Sequence, residues 1–367
     1  MERVLMKGNE AIAEAAIRAG CRYFFGYPIT PQNEIPEYMA RRLPEVGGVY
    51  LQAESEVASI NMVYGAAGAG VRVMTSSSSP GISLMQEGIS YLCGSELPCV
   101  IVNIVRGGPG LGSIQPAQSD YFQATKGGGH GDYRLLVLAP ASVQEAANLM
   151  VEAFDLAETY RNPVLILGDG VMGQMMEPLS FPDVSGKAPR PKPWATTGAA
   201  GREPNVINSL YIVAEDCEKH NLRLKEKYDR MVRDEVRFQE VGVDEAELVL
   251  VAYGTTARVC RSAMELASAE GLKVGLIRPI SLFPFPYGPL ARAAADGKRR
   301  FLTVEMSMGQ MVEDVRLGVA GRAPVEFYGR AGGVVPTPHE VLAQVRSQLG
   351  KRAAGADKGQ GRGGDAA

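Results

Sequence analysis

Five cysteines occur in 367 residues, at positions 21, 93, 99, 217 and 260, and no two of them form a Cys-x-x-Cys pair. An odd, scattered set of thiols writes neither a disulfide framework nor an iron–sulfur or zinc site, so any electrons this protein handles need a carrier elsewhere. Histidine is scarcer still. His130, His220 and His339 lie far apart in sequence and in no His/Cys cluster, so intrinsic metal chemistry is not expected. There is no basic excess either: 38 Lys and Arg stand against 41 Asp and Glu, which argues against nucleic acid as a partner. No stretch approaches the ~18 consecutive apolar residues of a membrane span. Met1-Glu2-Arg3 leads into a short apolar run and then Lys7-Gly8-Asn9, without a secretory core or cleavage site. A cytoplasmic protein free of membrane is the expectation.

What is present is ordinary globular composition, 46% hydrophobic and 22% charged, over a length that suggests two domains. Residues 1–170 alternate apolar β-type runs with amphipathic stretches, the signal for βαβ units and a parallel sheet. Asn9 reads as an N-cap for a helix over 9–19, followed by a strand at Tyr23–Phe25 and a helix over 32–43, with Pro31 and Pro36 in its first turn. Strands at Val49–Gln52, Val71–Thr75, Val100–Val105, Leu135–Leu138 and Val164–Leu167 read as continuously apolar, hence buried on both faces. Helices over 55–69, 82–93 and 142–160 lie between them. From Glu177 to about Pro204 the chain is rich in Pro, Gly, Ser and Thr and reads as a linker or wrapping arm. A charged helix over 216–240 then precedes a second βα series. The last residues, 351–367, carry too little apolar surface to offset ordering entropy, so a dispensable, disordered tail is expected.

Several motifs fall at the carboxyl ends of these strands, where open α/β sheets place ligands. Gly26-Tyr-Pro-Ile-Thr-Pro31 is a rigid turn presenting the Thr30 hydroxyl, although alone it reads as structural. Glu56 opens a helix after Gln52-Ala-Glu-Ser55, suited either to a buried acid–base role or simply to the helix dipole. Thr75-Ser-Ser-Ser-Ser79-Pro-Gly81 offers the hydroxyls of Ser76, Ser77 and Ser78, or is merely a flexible polar loop. Arg106, followed by Gly107-Gly-Pro-Gly-Leu-Gly112, suits bidentate binding of a small carboxylate, with a structural salt bridge as the alternative. Lys126-Gly-Gly-Gly-His130-Gly-Asp132 is a polar loop that could cover a site. Gly168-Asp-Gly170 matches the start of a thiamine-diphosphate pyrophosphate signature, but the window where its Asn should fall, 191–198, has none. It is read as a turn. Gly254-Thr-Thr-Ala-Arg258 lacks the P-loop lysine spacing and reads as packing.

Taken together and in this order, Tyr27-Pro-Ile-Thr-Pro31, Ser55-Glu56, Thr75-Ser-Ser-Ser78, Arg106 and Gly129-His-Gly-Asp132 resemble the α subunit of the 2-oxoacid:ferredoxin oxidoreductases. The resemblance runs to about residue 348. The wording from Met6 through Tyr38, and again over 113–120, looks most like the branch that acts on 3-methyl-2-oxobutanoate (2-oxoisovalerate). The fold implied is α/β, with a pyrimidine-type domain built on a parallel sheet and a smaller transketolase C-terminal-like domain. The boundaries expected are 1–176 and 246–350, with a linker and charged helix over 177–245.

The resemblance also implies an activity: oxidative decarboxylation of a 2-oxoacid on thiamine diphosphate, with coenzyme A as co-substrate and ferredoxin as electron acceptor. It implies partners, namely a β subunit that holds the pyrophosphate and Mg²⁺, a ferredoxin-like iron–sulfur subunit and a γ-type subunit. By position Glu56 matches the glutamate on the cofactor's aminopyrimidine ring, Arg106 the substrate-carboxylate arginine, and Thr30 the hydroxyl beside the substrate. Ser76, Ser77, Ser78 and His130 lie on loops near the site. Ile29, Ile82, Leu84, Leu111 and Ile114 are candidate apolar walls. Pyruvate or 2-oxoglutarate as substrate, or a non-catalytic assembly subunit, remain the alternatives.

Overall fold

A computed structural model describes residues 3–184 and 190–350. The expected tail and the middle of the Pro-rich stretch lie outside the described residues. In chain order the elements are β1 (Val4–Lys7), α1 (Gly8–Arg18), β2 (Tyr23–Gly26), α2 (Glu34–Glu45), β3 (Val49–Gln52), α3 (Glu56–Gly68), β4 (Val73–Ser77), α4 (Pro80–Gly94), β5 (Val100–Val105), α5 (Tyr121–Lys126), β6 (Leu136–Leu138), α6 (Val143–Tyr160), β7 (Val164–Asp169), α7 (Gly170–Gln174) and β8 (Met176–Leu179). After an extended segment come α8 (Ala214–Asp234), β9 (Phe238–Val241), β10 (Leu248–Val251), α9 (Gly254–Ala269), β11 (Val274–Pro279), β12 (Ser281–Phe283), α10 (Tyr287–Ala293), β13 (Arg300–Glu305), α11 (Met311–Val319), β14 (Val325–Gly329) and α12 (Pro338–Gln348).

A seven-stranded sheet has the order β12-β6-β7-β5-β4-β2-β3, parallel except at β12. A five-stranded sheet has the order β14-β13-β10-β11-β9, parallel except at β9. Period-2 alternation on β5 divides the first core. Val100, Val102 and Ile104 face α1, α2 and α6, whereas Ile101 and Val105 face α3 and α4. On α2 the buried Ile35, Met39 and Leu43 fall four apart on one stripe. Residues of the second sheet, among them Val249, Val251 and Phe301, share the α3/α4-side core, so one apolar cluster joins the two sheets. Polar ties reinforce the junction. The buried Asp314 carboxylate accepts from the hydroxyls of Tyr121 and Tyr287 and from Lys126 Nζ, and Thr255 Oγ1 donates to Asp169 Oδ1 at 2.9 Å.

Several sequence expectations are corrected. Asn9 is not a cap: Lys7 holds that position, and Asn9 lies buried inside α1. Pro31 precedes α2 rather than opening it. The charged helix stops at Asp234, because 238–241 pairs with β11 instead of continuing the helix. The Pro-rich stretch is not wholly irregular, since β8 pairs antiparallel with β1. The strand Val100–Val105 is wholly buried but not continuously apolar, for it carries Asn103, and Val49–Gln52, expected to be buried on both faces, is the exposed edge strand β3. The turn Gly254-Thr-Thr256 does more than pack within its own unit: Thr256 Oγ1 donates to Gln118 Oε1 at 3.1 Å, and Gln118 Nε2 donates to Tyr253 O at 2.9 Å. No helix among the described residues is long and apolar enough to cross a membrane.

All five thiols are free, and only Cys217 is more than marginally exposed. Burial pushes Cys21 and Cys93 up to about 12 and raises Cys99 and Cys260 as well. Thiolate is the reactive form. The native chain should therefore titrate one thiol with a disulfide reagent at pH 8, and all five after denaturation; two or more fast native thiols would contradict this packing.

Candidate active site

The carboxyl ends of β3, β2, β4 and β5 are neighbours in the first sheet, and four of the sequence motifs converge there. After β2 the turn 27–32 is held from behind. Asn9 Nδ2 donates to Pro31 O at 2.9 Å and to Glu34 Oε2 at 2.8 Å, while Gln174 Nε2 donates to Glu34 Oε2 at 2.9 Å. Burial alone would raise the Glu34 carboxyl, but these bonds and that from Lys7 outweigh it and hold it below the usual range. Thr30 is half-buried, and its hydroxyl accepts a bond from Asn33 Nδ2.

After β3, Ser55 caps α3, its hydroxyl accepting from the Ala58 N–H at 3.2 Å, so capping falls to Ser55 and leaves Glu56 free. Glu56 is 6% exposed. Among the described residues its carboxylate makes no hydrogen bond or ion pair. Two glycines of α4 allow this. A Cβ on Gly88 would meet Ile60 Cγ2 at 2.5 Å, and one on Gly81 would meet Ser77 Oγ at 2.0 Å and Glu56 Oε1 at 2.6 Å. Glu56 and Ile60 are one helical turn apart on α3. The bare backbone of α4 thus lets α3 approach closely and brings the Glu56 carboxylate onto the start of α4 beside Ser77.

The serines do not form a flexible loop. Ser76 and Ser77 belong to β4, and Ser76, Ser77 and Ser78 are all fully buried. Ser76 Oγ donates to Gln32 Oε1 at 2.5 Å, which binds β4 to the Thr30 turn. Among the described residues the Ser77 and Ser78 hydroxyls find no partner. A buried hydroxyl with no acceptor is costly and uncommon, and the Thr75 hydroxyl on the same strand is unpartnered likewise.

After β5, Arg106 is 7% exposed. Its Nη1 donates to Thr30 O and its Nη2 to Leu111 O, each at 3.0 Å, and its Nε–H is buried without an acceptor. Among the described residues it joins no ion pair, which removes the structural salt bridge as an explanation. Thr30 and Arg106 are therefore brought together. His130 is not. It is exposed on the loop 127–132, which is tied to α4 by Tyr133, whose hydroxyl accepts from the Gly128 and Gly129 N–H groups and donates to Gln86. Of the candidate walls, Ile82 packs in the core and Ile29 is half-buried, whereas Leu84, Leu111 and Ile114 are exposed.

Sequence reasoning missed Asn103, Ser79 and Asp120, which form a network behind Arg106. Asn103 Oδ1 accepts from the Ser79 N–H at 3.0 Å, and its Nδ2 donates to Asp120 Oδ2 at 2.9 Å. Burial raises the Asp120 carboxyl, with the bonds to Asn103 and Ser79 opposing. The signal was available: a lone amide inside Val-Ile-Val-Asn-Ile-Val needs a polar partner wherever the strand is buried. Asp169, in the rejected motif, is spent within the fold, its Oδ1 accepting from the Val171 and Met172 N–H groups and from Thr255. A cavity of about 610 Å³ lies at the opposite, amino ends of the strands, among Arg18, Arg22, Arg72 and Lys192. There Arg22 and Arg72 serve the α1 carboxyl end, donating to Ile17 O and Ala19 O.

Residues 14–235 match the family described as "Pyruvate flavodoxin/ferredoxin oxidoreductase, thiamine diP-bdg", and 246–341 match "Pyruvate:ferredoxin oxidoreductase core domain II". The chain is 53% identical over 350 residues to the ketoisovalerate oxidoreductase subunit VorB of Methanothermobacter thermautotrophicus, covering 95% of this chain and 99% of that one. It is 37% identical over 371 residues to the 2-oxoglutarate synthase subunit KorA of the same organism, covering 94% and 98%. Among solved structures, the 2-oxoglutarate:ferredoxin oxidoreductase of Magnetococcus marinus, with 2-oxoglutarate, coenzyme A and succinyl-CoA bound, superposes with a TM-score of 0.83 at 30% identity. That match covers 95% of this chain and 65% of the other, so this chain spans about two thirds of its solved relative's length.

Proposed function

The chain belongs to the 2-oxoacid:ferredoxin oxidoreductase family, and on that footing we propose that it is the α-type subunit of an enzyme that converts 2-oxoisovalerate to the acyl-CoA and passes electrons to ferredoxin. The observation that carries this reading is a pair of buried side chains of opposite charge, Glu56 and Arg106, neither paired with an opposite charge among the described residues. Buried charges are ordinarily paired, so each is built to meet a group from outside the chain.

The donor set fits thiamine diphosphate. An acceptor carboxylate on Glu56 beside the unpartnered hydroxyl of Ser77 suits a flat ring bearing amino and ring nitrogens. When bound, the cofactor supplies the electron sink that decarboxylation requires. Glu56 holds a proton at the ring nitrogen and so sets which tautomer the ring adopts. Arg106 binds the substrate carboxylate and Thr30 orients it beside the keto oxygen. Ser76 acts indirectly, holding the Thr30 turn through Gln32, and His130 has no geometric support for substrate contact. The division into units at 1–176, 177–245 and 246–350 is kept as part of this reading, with β9 and β12 crossing it to pair with β11 and β6.

Pyrophosphate and Mg²⁺ fall to a β-type partner, because Asp169, the carboxylate of the one signature-like turn, is already occupied by α7 and Thr255. Iron–sulfur clusters belong to partner subunits, the β-type one or a ferredoxin-like one, and a γ-type subunit completes the assembly. The rim supports a shared site. Tyr27, Leu51, Val57, Leu84, Ile114 and Leu111, the last 84% exposed, stand around these strand ends. Exposed apolar side chains gathered at one place mark an interface.

The test is dye reduction by the assembled complex on three 2-oxoacids. One guanidinium and an apolar rim should favour 2-oxoisovalerate over 2-oxoglutarate, whose distal carboxylate would lack a partner, and over pyruvate, which has less to bury at ~0.8 kcal/mol per CH₂. Arg106→Ala should raise KM for all three by about 10- to 100-fold, the scale of a charge-assisted hydrogen bond. 2-Oxoglutarate as the best substrate would overturn the specificity, and an unchanged KM in Arg106→Ala would overturn the site.

A further inference from the structure

Ser79 joins β4 to α4 with φ 27° and ψ −82°, a positive-φ conformation that a residue with a Cβ rarely adopts. A serine directly before Pro80-Gly81 would be expected to cap the helix, yet its side chain makes no capping bond. Its polar groups are directed sideways, onto β5. The N–H goes to Asn103 Oδ1 at 3.0 Å. The hydroxyl accepts from the Arg106 N–H at 3.0 Å and lies within donating distance, 3.4 Å, of Arg106 O. Asn103 is fixed in turn by Asp120.

A glycine would reach this conformation without strain, so the serine is explained by what its hydroxyl does, and the hydroxyl holds the Arg106 backbone by accepting its N–H. The side chain of that same residue is held at its far end by Thr30 O and Leu111 O. We propose that Ser79 is a positioning residue for Arg106: held by Asn103 and Asp120, its hydroxyl fixes the backbone from which the guanidinium reaches the substrate carboxylate. This rests on the reading of Arg106 given above.

In the assembled complex, Ser79→Ala and Ser79→Gly should each raise KM for 2-oxoisovalerate about tenfold, the scale of one lost buried hydrogen bond. The same factor should appear with pyruvate, because the carboxylate is common to both, while KM for coenzyme A stays at its wild-type value. Ser79→Gly should also melt above Ser79→Ala, since both lose the hydroxyl and only glycine relieves the backbone. That combination separates positioning from a contribution to folding. Wild-type KM values in Ser79→Gly, or a rise confined to coenzyme A, would overturn the proposal. If Arg106→Ala raises KM and the Ser79 variants do not, this inference alone fails; if Arg106→Ala has no effect, the carboxylate reading fails with it.

Discussion

Glu56→Gln in the assembled complex is expected to lower turnover by roughly 10²–10⁴, the range that a positioned acid–base group contributes. The substitution preserves the size of the side chain and its packing against Gly81 and Ser77, and a neutral amide is less costly to bury than an unpaired carboxylate. Assembly and melting temperature should therefore hold or improve while catalysis falls. The carboxamide can still hydrogen-bond to a ring nitrogen but cannot hold or release a proton there. Glu54, two residues earlier, serves as the control because it lies outside α3 and is exposed. Near-normal turnover in Glu56→Gln together with a dead Glu54→Gln would show that the wrong carboxylate has been assigned.

The chain purified without partners should neither bind thiamine diphosphate tightly nor decarboxylate any 2-oxoacid, and co-expression with its β-type partner should restore both. The expected difference is between no measurable activity and full activity. Its cause lies in how the polar groups are used. On the proposed reading the groups left for the ring are the Glu56 carboxylate and the Ser77 hydroxyl beside Gly81, whereas the one turn resembling a pyrophosphate signature has its carboxylate engaged by two backbone N–H groups and Thr255. A ring site without a grip on the charged diphosphate discards most of the binding free energy that charge-assisted bonds provide. Calorimetry with Mg²⁺ that found micromolar binding to the chain alone would overturn the divided site.

Much of the parallel sheet could be read from the chain because burial on both faces leaves a direct mark, the apolar run at 164–167 and the run at 100–105 broken only by Asn103. Glu56 at the start of a helix after a strand end was legible for an equally local reason. The pairings β1–β8, β6–β12 and β9–β11 were not. Each brings in a run of three or four residues, β1 with β8, β12 and β9, whose backbone acquires a strand conformation only when an edge is offered. The end of α8 was misjudged on the same ground: a charged sequence compatible with helix past Asp234 yields once β11 supplies partners.

The sequence by itself determined the fold class, the order of the motifs along the strand ends and the identities of the two charged side chains, since hydrophobic period, capping chemistry and residue type are local properties. Tertiary structure decided which groups are spent and which are free. Ser76 and Ser77 alternate to opposite faces of β4, so one meets Gln32 and the other lies unpartnered against Gly81. Ile82 turns into the core and Leu84 out of it, and His130 stands apart on a loop anchored by Tyr133. Arg106 has its aim set by a serine, an amide and a carboxylate drawn from three separate segments. A hydrogen bond depends on approach within about 3 Å, and that distance is a property of packing between segments, not of spacing along any one of them.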